Sequence, residues 1–177
     1  RHQVQFNLGD IYESLADVIG EREALVCGDR RLTYAQLEAR ANRLAHHLLS
    51  IGVQPGNHVG VQLYNCTEYV ETMVACFKIR AVPVNVNYRY VESELSHLFA
   101  DMGPGAVVFH SRFAPALATV VGGLPERPLL LQVADDSGED LLPGATWYDE
   151  ALSQASAEPP AVRPSPDDLY VLYTGGT

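Results

Sequence analysis

His58-Val59-Gly60-Val61-Gln62-Leu63, then Glu68 to Ile79, then Val82-Pro83-Val84-Asn85-Val86 is the stretch whose reading decides the fold. The first run is short, apolar and β-rich, and it follows a Pro55-Gly56 turn. The second repeats apolar residues at a helical spacing, with Val70, Met73, Val74 and Phe77 in its stripe and Thr67 placed to cap it. The third is apolar again, and its proline confines it to a strand start or a sheet edge. Strand, helix and strand in this order make a parallel crossover unit.

Reading outward, the pattern repeats. Glu92 to Met102 carries Leu95, Leu98 and Phe99 and ends at Gly103-Pro104-Gly105, before the apolar run Ala106-Val107-Val108-Phe109. Ser111 is placed to cap a helix reaching Val121, closed by Gly122-Gly123, and Leu129-Leu130-Leu131-Gln132-Val133 follows as a buried strand. Ala134 to Pro143 is acidic and turn-rich, a surface loop, and Tyr148 to Leu152 gives one or two helical turns. Upstream, Tyr34 to Ile51 is the most regular helix. Thr33 and Gln36 have capping-box spacing, Gly52 sits at C′, and Glu38, Arg40 and Arg43 are expected on the outer side. Before it, Ile11 to Ile19 reads as a helix, and Ala24–Cys27 with Arg31–Thr33 as a hairpin around Gly28-Asp29. The fold class is α/β, a mostly parallel sheet flanked by helices, because continuously apolar strands need both faces covered.

Composition narrows the function. A formal net charge of −10 excludes a nucleic-acid partner, since counterion release needs clustered Lys and Arg. Lys78 is the single lysine, so a mechanism that needs one must use it or a residue outside these 177. Cys27, Cys66 and Cys76 have no metal-ligand spacing and read as reduced, mostly buried thiols. No run is long enough for a transmembrane segment, and Arg1 to Asp10 lacks the apolar core of a signal peptide, so the expectation is a cytoplasmic protein. His46 and His47 are adjacent on a helix and point apart, which makes no metal pair; no metal ligand is assigned. Glu68, Glu71, Glu92 and Glu94 read as solvated helix faces. Tyr88, Arg89 and Tyr90 form a loop beyond a strand end, suited to packing and capping or to contact with a ligand or a neighbouring domain.

At the far end, Leu169-Tyr170-Val171-Leu172-Tyr173 runs into Thr174-Gly175-Gly176-Thr177. Glycines there let successive N–H groups converge on one concavity, and threonine hydroxyls add donors, which suits a phosphate-binding loop. The same four residues also suit a hairpin turn, and they are neither a Walker loop nor G-x-G-x-x-G. In an open parallel sheet a ligand loop belongs beyond the carboxyl ends of the strands, where this one would lie.

Several segments, in order, resemble the AMP-forming acyl-CoA synthetases of the adenylate-forming superfamily. They are Leu32-Thr33-Tyr34-Ala35-Gln36-Leu37, Ala41-Asn42-Arg43-Leu44-Ala45, Gly52-Val53-Gln54-Pro55-Gly56 with His58-Val59-Gly60-Val61, Phe77 to Asn85, and Tyr170 to Thr177. Asn85 to Tyr90 and the Gly-Gly loop look most similar to actinobacterial members acting on fatty acids or steroid side-chain acids. Many members carry glycine where Arg80 stands, so that side chain must find room or point outward.

The resemblance implies the first portion of the family's large N-terminal domain. Residues 1–33 would hold a helix and small hairpin, 34–154 the α/β core, 155–168 a proline-rich connector, and 169–177 a strand with the start of the phosphate-binding loop. It also implies a ligase using ATP, Mg and coenzyme A. A carboxylic acid attacks the α-phosphate to give an acyl-adenylate and pyrophosphate, and the coenzyme A thiol then takes the acyl group. Thr174, Gly175, Gly176 and Thr177 would bind the nucleotide phosphates. No catalytic residue is assigned, because the family's lysine, magnesium-binding Glu and acyl pocket lie downstream, and the 177 residues alone are expected to be inactive. A homo-oligomer is compatible with this reading. The alternatives are a non-catalytic interaction module on the same fold, an adenylation enzyme for a different acid, and another nucleotide-binding α/β protein.

Overall fold

The computed structural model describes residues 8–162. Five strands form an all-parallel sheet in the order β4-β3-β5-β6-β7: β3 His58–Gln62, β4 Val82–Asn85, β5 Ala106–His110, β6 Leu129–Val133 and β7 Ala145–Trp147. β1 Glu23–Cys27 and β2 Arg30–Thr33 form a separate antiparallel hairpin. The helices are α1 Leu8–Ile19, α2 Tyr34–Ser50, α3 Thr67–Ile79, α4 Glu92–Met102, α5 Ala114–Gly122 and α6 Tyr148–Ser153. The α/β expectation holds. Among the described residues β4, which carries Pro83, is an edge strand, in keeping with the proline.

Alternation along the strands sorts side chains into two cores, one per face. Val59, Val61, Ala106, Val108, Leu131 and Val133 pack against α2, α3 and α6. Val82, Val84, Val107, Phe109 and Leu130 pack against α4 and α5. β5 is buried along its whole length, which explains its unbroken apolar sequence.

α2 starts with a complete capping box. Gln36 N–H donates to Thr33 Oγ1 at 3.2 Å and Thr33 N–H to Gln36 Oε1 at 2.9 Å. It ends in a Schellman motif, with Val53 N–H on Leu48 O and Gly52 N–H on Leu49 O, and Gly52 at φ 99°. α3 ends the same way, Ala81 N–H on Cys76 O and Arg80 N–H on Phe77 O, but its left-handed residue is Arg80 at φ 61°, ψ 23°. Among the described residues Arg80 is the only non-glycine with positive φ. Arg80 therefore finds room by taking up a conformation that glycine adopts without strain.

Four expectations need correction. Glu68 and Glu71 are buried, not solvated, and so is Glu38 on α2; each has a basic partner. Thr67 lies inside α3, whose N-cap is Cys66. Ser111 opens a 3-10 turn, Ser111–Phe113, ahead of α5, and its hydroxyl accepts from Gln132 Nε2 at 3.0 Å instead of capping. β7, three residues long, lies where no strand was expected. Glu92 and Glu94 are exposed as read, Glu94 accepting from Val91 N–H at 2.9 Å.

Candidate functional site

The sheet order dictates where a ligand fits. From β3 the chain runs through α3 to β4 on one side, then returns through α4 to β5 on the other. α3 covers one face, and α4 and α5 the opposite face. The loops leaving β3 and its neighbours thus part to opposite faces and open a crevice at the carboxyl end of β3, the switch point of an open α/β sheet.

A cleft of about 370 Å³ occupies that position, lined by Leu63, Asn65 and Tyr69 after β3 and by Asn85, Asn87, Tyr88 and Arg89 at the end of β4. Aromatic rings and guanidinium groups form a row that starts at its lining residues Tyr88 and Arg89. Arg89 lies over Tyr88 at 5.4 Å, Tyr88 packs on Tyr64 at 4.8 Å, and Arg112 lies over Tyr64 at 5.2 Å. Phe113 also packs on Tyr64, at 5.3 Å. Tyr88 is 41% exposed, so its ring is offered to solvent. Tyr90 turns inward against the core under α4.

His110, at the end of β5, fixes the backbone of this row. Its Nδ1 accepts from Tyr64 N–H at 3.1 Å, so the neutral ring carries its proton on Nε2. Burial holds the imidazole below its usual pKa, partly opposed by Asp135 and Glu68. Arg112 is held by Asp135 and Asp136, the latter at 2.6 Å. Gln132 secures the acidic loop, donating to Asp140 O at 3.0 Å and accepting from Leu142 N–H at 2.9 Å.

Buried ion pairs hold α3, which forms one wall. Glu71 has no exposed surface; it accepts from Arg40 Nε at 2.9 Å and from the Tyr148 hydroxyl at 2.7 Å, which joins α2, α3 and α6. Burial, then the Glu71 carboxylate, pushes the Tyr148 hydroxyl well above its usual pKa. Burial opposes the Arg40 charge, but Glu71 and Asp149 outweigh it and raise its pKa. Lys78 Nζ donates to Glu38 Oε1 at 2.5 Å. The single lysine is therefore a structural cation between α2 and α3. Arg30 on the hairpin pairs with Glu68 at the start of α3. The polar side of α2 receives the connector. Asn42 Nδ2 donates to Ala157 O at 2.9 Å, and Arg43 and His46 reach the carbonyls of Ala155 and Glu158. His46 thus has a packing role, as expected; His47 is half-buried, which holds its imidazole below the usual pKa.

The phosphate-loop residues Thr174, Gly175, Gly176 and Thr177 lie outside the described residues, as do the strand expected before them and the end of the connector. Among the described residues no group of three or more His, Cys, Asp or Glu is arranged to hold a metal ion, and no helix is long and apolar enough to cross a membrane. The structure brings Tyr88 and Arg89 to a cleft. Tyr64, Asn65, His110 and Arg112 had not been singled out; only the adjacency of β3 and β5 unites them.

Comparison with known proteins gives this geometry a setting. The chain is 45% identical to the medium-chain acyl-CoA ligase Mig of Mycobacterium avium over 97% of its length and 34% of that protein's. It is 44% identical to a 3-oxocholest-4-en-26-oate–CoA ligase of Rhodococcus rhodochrous, over 97% of the chain and 31% of that enzyme. The crystal structure of the N-terminal domain of FACL13 from Mycobacterium tuberculosis superposes with a TM-score of 0.80 at 29% identity, over 97% of this chain and 42% of that one. The chain thus spans about a third of the length of the curated relatives it matches. The family described as AMP-binding enzyme matches residues 13–177. The chain belongs to the AMP-binding enzyme family.

Proposed function

We propose that the chain is the N-terminal part of an AMP-forming acyl-CoA ligase that activates a fatty or steroid side-chain carboxylic acid. The observation that carries this reading is identity above 40%, across nearly the whole chain, to ligases named for medium-chain and cholestenoate substrates. Residues 1–33, 34–154, 155–168 and 169–177 take the parts given above: helix and hairpin, α/β core, connector, and strand with phosphate loop. The protein acts in the cytoplasm.

In the proposed reaction the acid's carboxylate displaces pyrophosphate from ATP, and coenzyme A then takes the acyl group. Thr174 and Thr177 supply hydroxyl and backbone donors to the phosphates, and Gly175 and Gly176 let the backbone approach them. Donors preset for developing phosphate charge lower the barrier without reorganising during the step. Magnesium enters with the nucleotide; no residue described here is assigned to it and no step rests on one. The crevice at β3, β4 and β5 contributes Tyr88 and Arg89 to the substrate-facing rim. A planar cation over an aromatic ring suits an anionic ligand, and all three substrates carry negative charge.

The test is Thr177→Ala in the full-length protein. Acid-dependent ATP–pyrophosphate exchange is expected to fall about 10²-fold, the scale for losing one preset donor, with an unchanged melting temperature. Exchange equal to that of the parent protein removes Thr177 from the site.

A further inference from the structure

Two of the three cysteines meet where the hairpin touches the start of α3. The Cys27 thiol, on the last residue of β1, donates to the carbonyl oxygen of Asn65 at 3.0 Å. Cys66 is the next residue. Standard peptide dimensions put that oxygen about 2.8 Å from the Cys66 Cα, so the Cys27 sulfur lies within about 6 Å of it. The Cys27 Cα is at most about 2.8 Å beyond its sulfur, so the two Cα atoms are within about 8.6 Å. Reaching the roughly 4.4–6.8 Å of a cystine takes side-chain rotation with a shift of the hairpin tip of about 2 Å or more at that upper limit. Both thiols are half-buried and reachable from solvent, whereas Cys76 is fully buried in the core.

We propose that Cys27 and Cys66 are a redox-modification site, joined by a reversible disulfide when hydrogen peroxide oxidises the protein. The Cys27 sulfur attacks the peroxide O–O bond, releasing water and leaving a sulfenic acid. The Cys66 sulfur then attacks the Cys27 sulfur, and a second water leaves as the S–S bond forms. Two thiols are oxidised and one peroxide is reduced to two waters.

The surroundings assign the order of these steps. Burial and Glu68 push the Cys66 thiol up to about 12, against a favourable contact with the Tyr69 amide. Thiolates are the reactive form, so Cys66 is disfavoured as the sulfur that first meets the oxidant and takes the second step, closing the bond. Closure replaces the Cys27–Asn65 hydrogen bond by a covalent link one residue on. Asn65 and Tyr69 both line the cleft, so the modification acts on the cleft wall.

The experiment uses the reduced full-length protein treated with hydrogen peroxide, blocked with N-ethylmaleimide and digested with chymotrypsin without reduction. Chymotrypsin cuts at Tyr69, between Cys66 and Cys76. The expected product by mass spectrometry is a Cys27–Cys66 linked peptide pair that dithiothreitol releases, with Cys76 unlinked. Cys66→Ser should abolish the pair and let Cys27 advance to sulfinic acid. Peroxide treatment that takes wild-type Cys27 to sulfinic acid with no linked pair, or that links Cys27 to another cysteine, overturns the proposal.

Discussion

Replacing Lys78 by methionine tests whether the buried cation is structural. The Lys78 and Glu38 side chains are 3% and 11% exposed and meet at 2.5 Å, and Glu38 Oε2 is buried with no hydrogen-bond partner among the described residues. Glu38 has therefore recovered only part of its lost hydration, and removing Lys78 strands it. Breaking a buried pair from one side costs about 3–5 kcal/mol, whereas replacing both partners by apolar residues of similar size is close to neutral. Lys78→Met should thus weaken the α2–α3 contact by that amount, and Glu38→Leu/Lys78→Met should restore it to within about 1 kcal/mol. Hydrogen exchange by mass spectrometry on peptides of α2 and α3 in the full-length protein reads this locally. At 1.36 kcal/mol per tenfold, the single variant should exchange about 150-fold faster or more, and the double variant less than about tenfold faster. A single variant that exchanges at the parent rate refutes the reasoning, and so does a double variant no better than the single one.

Other expectations follow from individual residues. Arg80→Gly relieves a left-handed conformation that costs about 1–2 kcal/mol, against about 0.4–1 kcal/mol of added chain entropy in the unfolded state. The variant should melt slightly above its parent, and a lower melting temperature would mean that the arginine's own contacts matter more. Burial opposes the Glu68 charge, but its own amide and Arg30 outweigh it, so its pKa lies below the usual carboxylate value. Its contribution is full above about pH 4.3 and is lost as pH falls through the depressed value. Glu68→Gln should therefore flatten the acid limb of melting temperature against pH, and an unchanged limb contradicts the pairing with Arg30. Arg89→Ala should raise KM for one anionic substrate about tenfold, without a shift in melting temperature, and steady-state kinetics with each substrate varied in turn checks it. KM values all within twofold of the parent would remove Arg89 from the rim.

Local features were legible in the sequence where the chemistry is local. Thr33 with Gln36 marks the start of α2, Gly52 its end, and Pro83 an edge strand, each through groups within four residues. The buried acids were not legible. Glu38, Glu68 and Glu71 find partners 31 to 40 residues away, on Lys78, Arg30 and Arg40. A helical acid looks the same in sequence whether solvent or another helix covers it. Arg80 shows a related limit, since nothing in its side chain favours positive φ and the need for that conformation is set by the turn from α3 into β4. The site divides in the same way. Tyr88 and Arg89 were visible as an unusual loop. Tyr64 and His110 needed β3 beside β5, a pairing made only after the chain has passed through α3, β4 and α4.

The central claim, that the chain is part of an acid-activating ligase, is tested most directly by carboxylate-dependent ATP–pyrophosphate exchange. The full-length protein is assayed against a panel of fatty acids and steroid side-chain acids. Exchange that appears only when an acid is present, and is strongest with one class, is the predicted result. No exchange with any acid, from a folded full-length protein that binds ATP, would contradict it and favour a binding module on the same fold.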